Sequence, residues 1–86
     1  MHYVYVLRSK KDEYLYTGCT NDLKQRFAMH NSKKVASTSS RAPFILVYYE
    51  GFINKHDAFN REQYLKTGWG RSYLKKVLSQ TLSVKI

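Results

Sequence analysis

Tyr14-Leu15-Tyr16-Thr17-Gly18-Cys19-Thr20-Asn21-Asp22-Leu23-Lys24-Gln25-Arg26-Phe27-Ala28-Met29-His30-Asn31 reads as a short strand that turns into a helix. Tyr14 and Tyr16 alternate onto one face of the strand, and Gly18 ends it. Thr20 or Asn21 caps the helix, with Asp22 in the first turn, where a carboxylate complements the positive end of the helix dipole. The helix runs to about Ser32, and Leu23 with Phe27 gives it an apolar stripe. Arg26 and His30 lie four residues apart and share one helical face. A phenol, a guanidinium and an imidazole are thereby brought within reach of one another. The plain alternative is an exposed basic pair that meets only solvent.

Upstream, Tyr3 to Ser9 is rich in β-branched and aromatic residues and predicts a first strand. Lys10 to Glu13 is a short charged break, so the two strands form an antiparallel hairpin. Period two puts Tyr3, Tyr5 and Leu7 on one face, and Tyr5 neighbours Tyr16 if the two faces coincide. Downstream, Lys33 to Arg41 contains the run Ala36-Ser37-Thr38-Ser39-Ser40 and reads as a mobile loop with basic ends. Phe44 to Phe52, after Pro43, is a third strand whose near-continuous hydrophobicity predicts the central position, covered on both faces.

Asn54 caps a second helix with Asp57 in its first turn, ending near Thr67, where Gly68 supplies a stop. Ala58, Glu62 and Leu65 share one face of it, so a carboxylate sits within an apolar stripe. Trp69-Gly70-Arg71 is a short connection. Arg71 to Gln80 is a third helix with Tyr73, Leu74, Val77 and Leu78 facing inward. The reading is one α/β (α+β) domain over residues 1–80, a three-stranded antiparallel sheet flanked by about three helices. Residues 81–86 form a loosely held tail.

With 86 residues, a single modest core is expected, and eight Tyr, four Phe and one Trp supply much of its burial. Fifteen Lys and Arg against six Asp and Glu leave a net charge of +9, a field that attracts polyanions and makes nucleic acid the first partner to consider. No stretch is apolar enough to span a bilayer, so no membrane partner is expected. Cys19 is the only cysteine, which excludes an internal disulfide and a cysteine-based zinc site and suits a reducing compartment. The N-terminus lacks a secretory cleavage pattern, and a cytoplasmic location is expected.

The carboxylates are few. Asp12 and Glu13 fall in the hairpin turn, Asp22 and Asp57 serve first helical turns, and Glu50 lies at a strand end. Glu62 alone has no local structural task. A cage of several acids is thereby excluded, whereas one divalent ion held by one carboxylate, water and a substrate phosphate is allowed. The plain alternative for Glu62 is an ion pair with a nearby Arg or Lys.

In this order the residues resemble the GIY-YIG nuclease domain, most closely its short stand-alone bacterial members. The two signatures stand as Tyr3-Val4-Tyr5 and Tyr16-Thr17-Gly18. Arg26 follows Tyr16 at the family's spacing, and His30 occupies a position where relatives carry His or Tyr. Glu62, within Asn60-Arg61-Glu62-Gln63-Tyr64, matches the metal-binding glutamate of the later helix. The resemblance spans roughly Tyr3 to Lys76. Tyr3 replaces the usual Gly and Thr17 the usual Ile, Cys19 stands where some repair nucleases carry lysine, and a late Asn of some homing and restriction relatives has no counterpart.

The resemblance implies a metal-dependent endonuclease that hydrolyses phosphodiester bonds in DNA, in repair or recombination. Its catalytic set is Tyr5, Tyr16, Arg26, His30 and Glu62. Tyr16 is the general base, Arg26 stabilises charge on the non-bridging oxygens, and Glu62 holds one Mg2+ or Mn2+. Tyr5 and His30 position the water, the phosphate or the base. Lys24, Lys33, Lys34, Arg41, Arg61, Lys66, Arg71, Lys75 and Lys76 are candidates for a phosphate track, with DNA favoured over RNA and room for a protein partner that targets the domain. The competing readings are a non-catalytic nucleic-acid-binding module that retains the fold, and an RNA-processing or ribosome-associated protein.

Overall fold

A computed structural model describes residues Met1–Ile86. The elements run β1 (His2–Ser9), β2 (Leu15–Thr20), α1 (Leu23–Asn31), a 3-10 turn (Ser39–Arg41), β3 (Phe44–Phe52), α2 (Lys55–Leu65), α3 (Gly68–Val77) and α4 (Ser79–Leu82). The three strands form one antiparallel sheet in the order β2-β1-β3.

The central place therefore belongs to β1, and the expectation for β3 is corrected. Val4 through Ser9 of β1 are all buried, because that strand is bonded along both edges and covered on both faces. β3 is an edge strand whose hydrophobic run has a different origin. Its register against β1 slips between Val6 and Leu7, where Val6 faces Tyr48 and Leu7 faces Leu46, so Val47 is an extra residue. Val47 and Tyr48, adjacent in sequence, consequently pack against the same core, and the alternation expected of a half-covered strand disappears.

Each face of the sheet carries its own core. Val4 and Val6 meet Ala58 and Leu65 of α2 and Leu74 and Leu78 at the end of α3. On the opposite face Tyr5 and Leu7 pack with Ala42 and Phe44, flanked by Tyr16, Leu23, Phe27 and Leu46. Burying one such aliphatic or aromatic side chain contributes about 1.5–3 kcal/mol, so a small domain needs both layers.

Helix ends follow their caps. Asp22, expected in the first turn of α1, is itself the cap and accepts from Gln25 N at 3.0 Å. Asn54 caps α2 as expected, accepting from His56 N at 2.8 Å. α3 begins three residues before the expected Arg71, because the Thr67 hydroxyl accepts from Gly70 N at 3.2 Å and turns Gly68-Trp69-Gly70 into a first turn. Gly68 thus opens a helix instead of closing one. Val77, expected to face inward, is 49% exposed, while Leu74 and Leu78 are buried.

Side-chain bonds close the remaining segments. Asn31, at the end of α1, donates to Phe44 O at 3.1 Å and accepts from Phe44 N at 2.6 Å, which clamps helix to strand. The segment expected to be a mobile loop is pinned at its end, where Ser9 Oγ donates to Arg41 O at 2.6 Å. Arg8 lies buried, with Nη1 donating to Thr81 O at 3.3 Å and Val84 O at 2.6 Å and Nη2 to Glu13 at 3.0 Å. Through that guanidinium the C-terminal residues meet the central strand. No helix is long and apolar enough to cross a membrane.

Candidate active site

The site begins with the pairing of Tyr5 and Gly18 across β1 and β2. A Cβ at Gly18 would stand 2.5 Å from Tyr5 Cζ and collide with the hydroxyl. The absence of that side chain lets the Tyr5 ring lie across the neighbouring strand. Its hydroxyl then reaches His30 of α1, 2.8 Å from Nε2. His30 Nδ1 is in turn 2.7 Å from Thr38 Oγ1.

Around that bond the rings form a tight group. Tyr5 and Tyr16 have centroids 6.4 Å apart, Tyr5 and His30 5.7 Å, and Tyr16 and His30 5.2 Å. Phe44 closes the other side of the imidazole at 5.9 Å. Tyr5 is 1% exposed and His30 fully buried, whereas Tyr16 is half-buried. His30 is therefore no solvated member of a basic helix face; it is the only fully buried residue of α1.

Electrostatics sharpen the picture. Burial pushes the Tyr5 phenol up to about 12, Tyr16 and Glu62 add to the rise, and Arg26 opposes it by charge and hydrogen bonding. Burial, followed by the Arg26 charge, holds His30 below the ordinary imidazole range. Near neutral pH the pair is a phenol and an uncharged imidazole. Burial, then Glu62, raises the Cys19 thiol, while Lys55 and Arg26 pull the other way. Glu62 from α2 and Arg26 from α1 thus act on the same two neighbours, Tyr5 and Cys19, consistent with the packing of α2 on β1 and β2.

The Glu62 side chain is 13% exposed and pairs with Lys66 one turn away at 3.1 Å. The ion-pair alternative is thus realised, within the same helix and without removing the carboxylate from the cluster. No group of three His, Cys, Asp or Glu side chains converges as a metal cage, here or elsewhere. The donor set fits a single hard cation that takes one protein carboxylate and completes its shell with water and phosphate oxygens.

The candidate phosphate contacts divide by partner. Arg41 donates Nε to Asp12 at 2.8 Å and Nη2 to Tyr14 O at 3.1 Å, and Arg61 grips Glu50 through Nε at 2.9 Å and Nη2 at 3.0 Å. Arg61 also lies over the Tyr73 ring at 4.9 Å and the Tyr64 ring at 5.2 Å. These two guanidinium groups hold the fold together. Lys24, Lys33, Lys34, Arg71, Lys75 and Lys76 form no ion pair. Lys24 lines a cleft with Tyr3, Phe27 and Tyr49; Arg71 and Lys75 line another with Arg8 and Tyr14.

Two features of the structure escape sequence reading. Thr38 sits in an unpatterned polar run, and nothing in its neighbours marks it as buried. The joint grip of Tyr48 and Arg61 on Glu50, which holds that carboxyl low against its burial, spans two elements with no common period.

Comparison with known proteins places this arrangement. The family profile described as the GIY-YIG catalytic domain matches residues 1–75. A UPF0213 protein of Clostridium perfringens is 51% identical over 67 residues, 77% of this chain and 71% of that protein. One from Staphylococcus haemolyticus is 43% identical over 77 residues, covering 88% and 93% of the two chains. The solution NMR structure of a UPF0213 protein from Bacillus halodurans superposes with a TM-score of 0.56 at 37% identity, over 88% of this chain and 83% of that one. With the match running from β1 through most of α3, the chain belongs to the GIY-YIG catalytic domain family.

Proposed function

We propose that this protein is a metal-dependent endonuclease that hydrolyses phosphodiester bonds in DNA, acting within the cell interior in repair or recombination. The observation that carries the reading is the convergence on Tyr5 of His30 by a hydrogen bond, Tyr16 by ring contact, and Arg26 and Glu62 by charge. Membership of the family makes nuclease chemistry the first hypothesis for such a cluster.

Tyr16 is the residue assigned to take a proton from the attacking water, since it is the half-buried phenol of the pair and faces the imidazole. Arg26 offers a planar, permanently charged fork to the non-bridging oxygens, where negative charge accumulates as the phosphorus is attacked. Tyr5 and His30, locked to each other and shielded from water, hold the phosphate or the base in register. Glu62 is the residue that would hold one Mg2+ or Mn2+, and a bound ion would supply Lewis-acid stabilisation of phosphate charge. Lys24, Lys33, Lys34, Arg71, Lys75 and Lys76 are the cations available for the flanking backbone.

The test is incubation of the protein with plasmid, single-stranded and branched DNA, and with matched RNA, in Mg2+ or Mn2+. Wild type should cleave DNA, and Arg26→Ala and Glu62→Ala should lose at least about a hundredfold in rate, the range for removing one transition-state contact. Binding by all three proteins with cleavage by none would replace the enzyme by a binding module. Preferential cleavage of RNA would move the protein to RNA processing.

A further inference from the structure

The Tyr5 hydroxyl belongs to a residue 1% exposed and lies 2.8 Å from His30 Nε2, while Arg26, the other group that hydrogen-bonds it, can only donate. A buried hydroxyl proton without an acceptor is destabilising, so the phenol donates and Nε2 accepts. In an uncharged imidazole the proton must then sit on Nδ1. Nδ1 faces Thr38 Oγ1 at 2.7 Å, and Thr38 Oγ1 is itself 3.4 Å from Val35 O, to which its own proton is directed. The chain of donors therefore runs one way, from Tyr5 to His30 to Thr38 to Val35.

We propose that Thr38 is a positioning residue of the site, fixing the protonated nitrogen and the orientation of His30 so that Nε2 presents a lone pair to Tyr5. Its own placement is over-determined. Thr38 is fully buried, its N–H donates to Val35 O at 3.1 Å, and its carbonyl accepts from Arg41 N at 2.9 Å. The loop that carries it is clamped at one end by Asn31 on Phe44 and at the other by Ser9 on Arg41. A loop read from sequence as a connector with basic ends thus supplies the second partner of a catalytic-cluster histidine. Without the Thr38 oxygen, Nδ1–H would be a buried donor with no acceptor. The imidazole would then move its proton to Nε2 or rotate, and either change reverses or breaks the bond to Tyr5.

The positioning role rests on the nuclease reading, but the state of His30 is measurable without it. Long-range 1H–15N spectra at neutral pH should show the His30 ring protonated on Nδ1 in wild type. Thr38→Val, close to isosteric but without an acceptor, should shift His30 toward the Nε2–H form, and Thr38→Ser should restore the wild-type pattern. In the cleavage assay Thr38→Val should lower kcat by roughly five- to tenfold with KM unchanged, as expected for one lost hydrogen bond, and Thr38→Ser should rescue it. An Nε2–H tautomer in wild type, or a His30 signal indifferent to Thr38→Val, overturns the inference whatever the activity. So does a Thr38→Val enzyme with wild-type kcat. The expected tautomer in a protein that cleaves nothing supports the Thr38–His30 linkage and overturns the nuclease reading instead.

Discussion

Gly18→Ala is the substitution that most directly tests how this site is assembled. All four glycines have negative φ, so the argument is one of space and not of backbone freedom. The new methyl carbon would lie 2.5 Å from Tyr5 Cζ and 3.0 Å from Cε2, with the hydroxyl closer still. Tyr5 has nowhere to go, because it stands on the central strand, bonds His30 and packs against Tyr16. Overpacking a filled core costs about 1–3 kcal/mol, and displacing the hydroxyl from its acceptor adds about 1 kcal/mol or more. We expect a loss of about 2–4 kcal/mol. For a domain of this size 1 kcal/mol moves Tm by roughly 4–8 °C, so the drop in a circular-dichroism melt should reach about 10 °C or more. Gly51→Ala is the control, since its methyl crowds only the Sδ of the exposed Met1 at 2.6 Å, a flexible terminus that yields, and meets Met1 Cγ at 3.4 Å and Tyr3 Cε1 at 3.5 Å in ordinary contact. It should stay within about 0.5 kcal/mol of wild type. In a Tyr5→Phe background the nearest atom is gone, and the Gly18→Ala penalty should shrink by at least about 0.5 kcal/mol. A Gly18→Ala protein melting within about 3 °C of wild type, or strict additivity with Tyr5→Phe, would refute the placement of the Tyr5 ring over β2.

Other measurements follow from the same geometry. Arg61 and Tyr48 hold Glu50 below its ordinary 4.5 against the opposing effect of burial, so this carboxylate contributes stability above about pH 4.5 that is lost as pH falls through the depressed folded value; Glu50→Gln should flatten that part of the acid limb in urea titrations. The Tyr5 phenol, raised to about 12, contributes stability that is complete below its ordinary 10.0 and lost as pH rises toward 12; spectrophotometric titration of Tyr5→Phe should lack one late-ionising phenol. Thr67→Ala removes the α3 cap and should lower stability by about 1 kcal/mol, read as a Tm shift of roughly 4–8 °C.

Much of the site was legible because its residues are announced locally. Tyr5 and Tyr16 fall on matching strand faces by period two, and Arg26 and His30 lie one helical turn apart, so the strand-turn-helix reading brings three groups together and the hairpin adds Tyr5 as the fourth. The Glu62 carboxylate stood out as an acid within an apolar stripe. Its partner Lys66, one turn on, shows that an i,i+4 pair and proximity to a polar cluster coexist. The charges were less legible. Arg41 and Arg61 look identical in sequence to free cations, yet both are committed to carboxylates 29 and 11 residues away.

By itself, the sequence determined what short-range chemistry dictates: three strands and their hairpin, helices with caps at or beside Asp22 and Asn54, a net positive charge with a lone cysteine, and the polar residues of the cluster. The tertiary structure decided what depends on contacts between distant segments. It put β1 at the centre, because strand order is set by which partners pair and not by which run is most hydrophobic. A bulge opposite Val6 and Leu7 gave β3 its misleading continuity. His30 became buried, where α1 alone would suggest a solvated side chain, because the sheet, Phe44 and Thr38 close around it. Gly18 acquired its importance from the same cause: the space it leaves is meaningful only because the Tyr5 ring from the next strand occupies it.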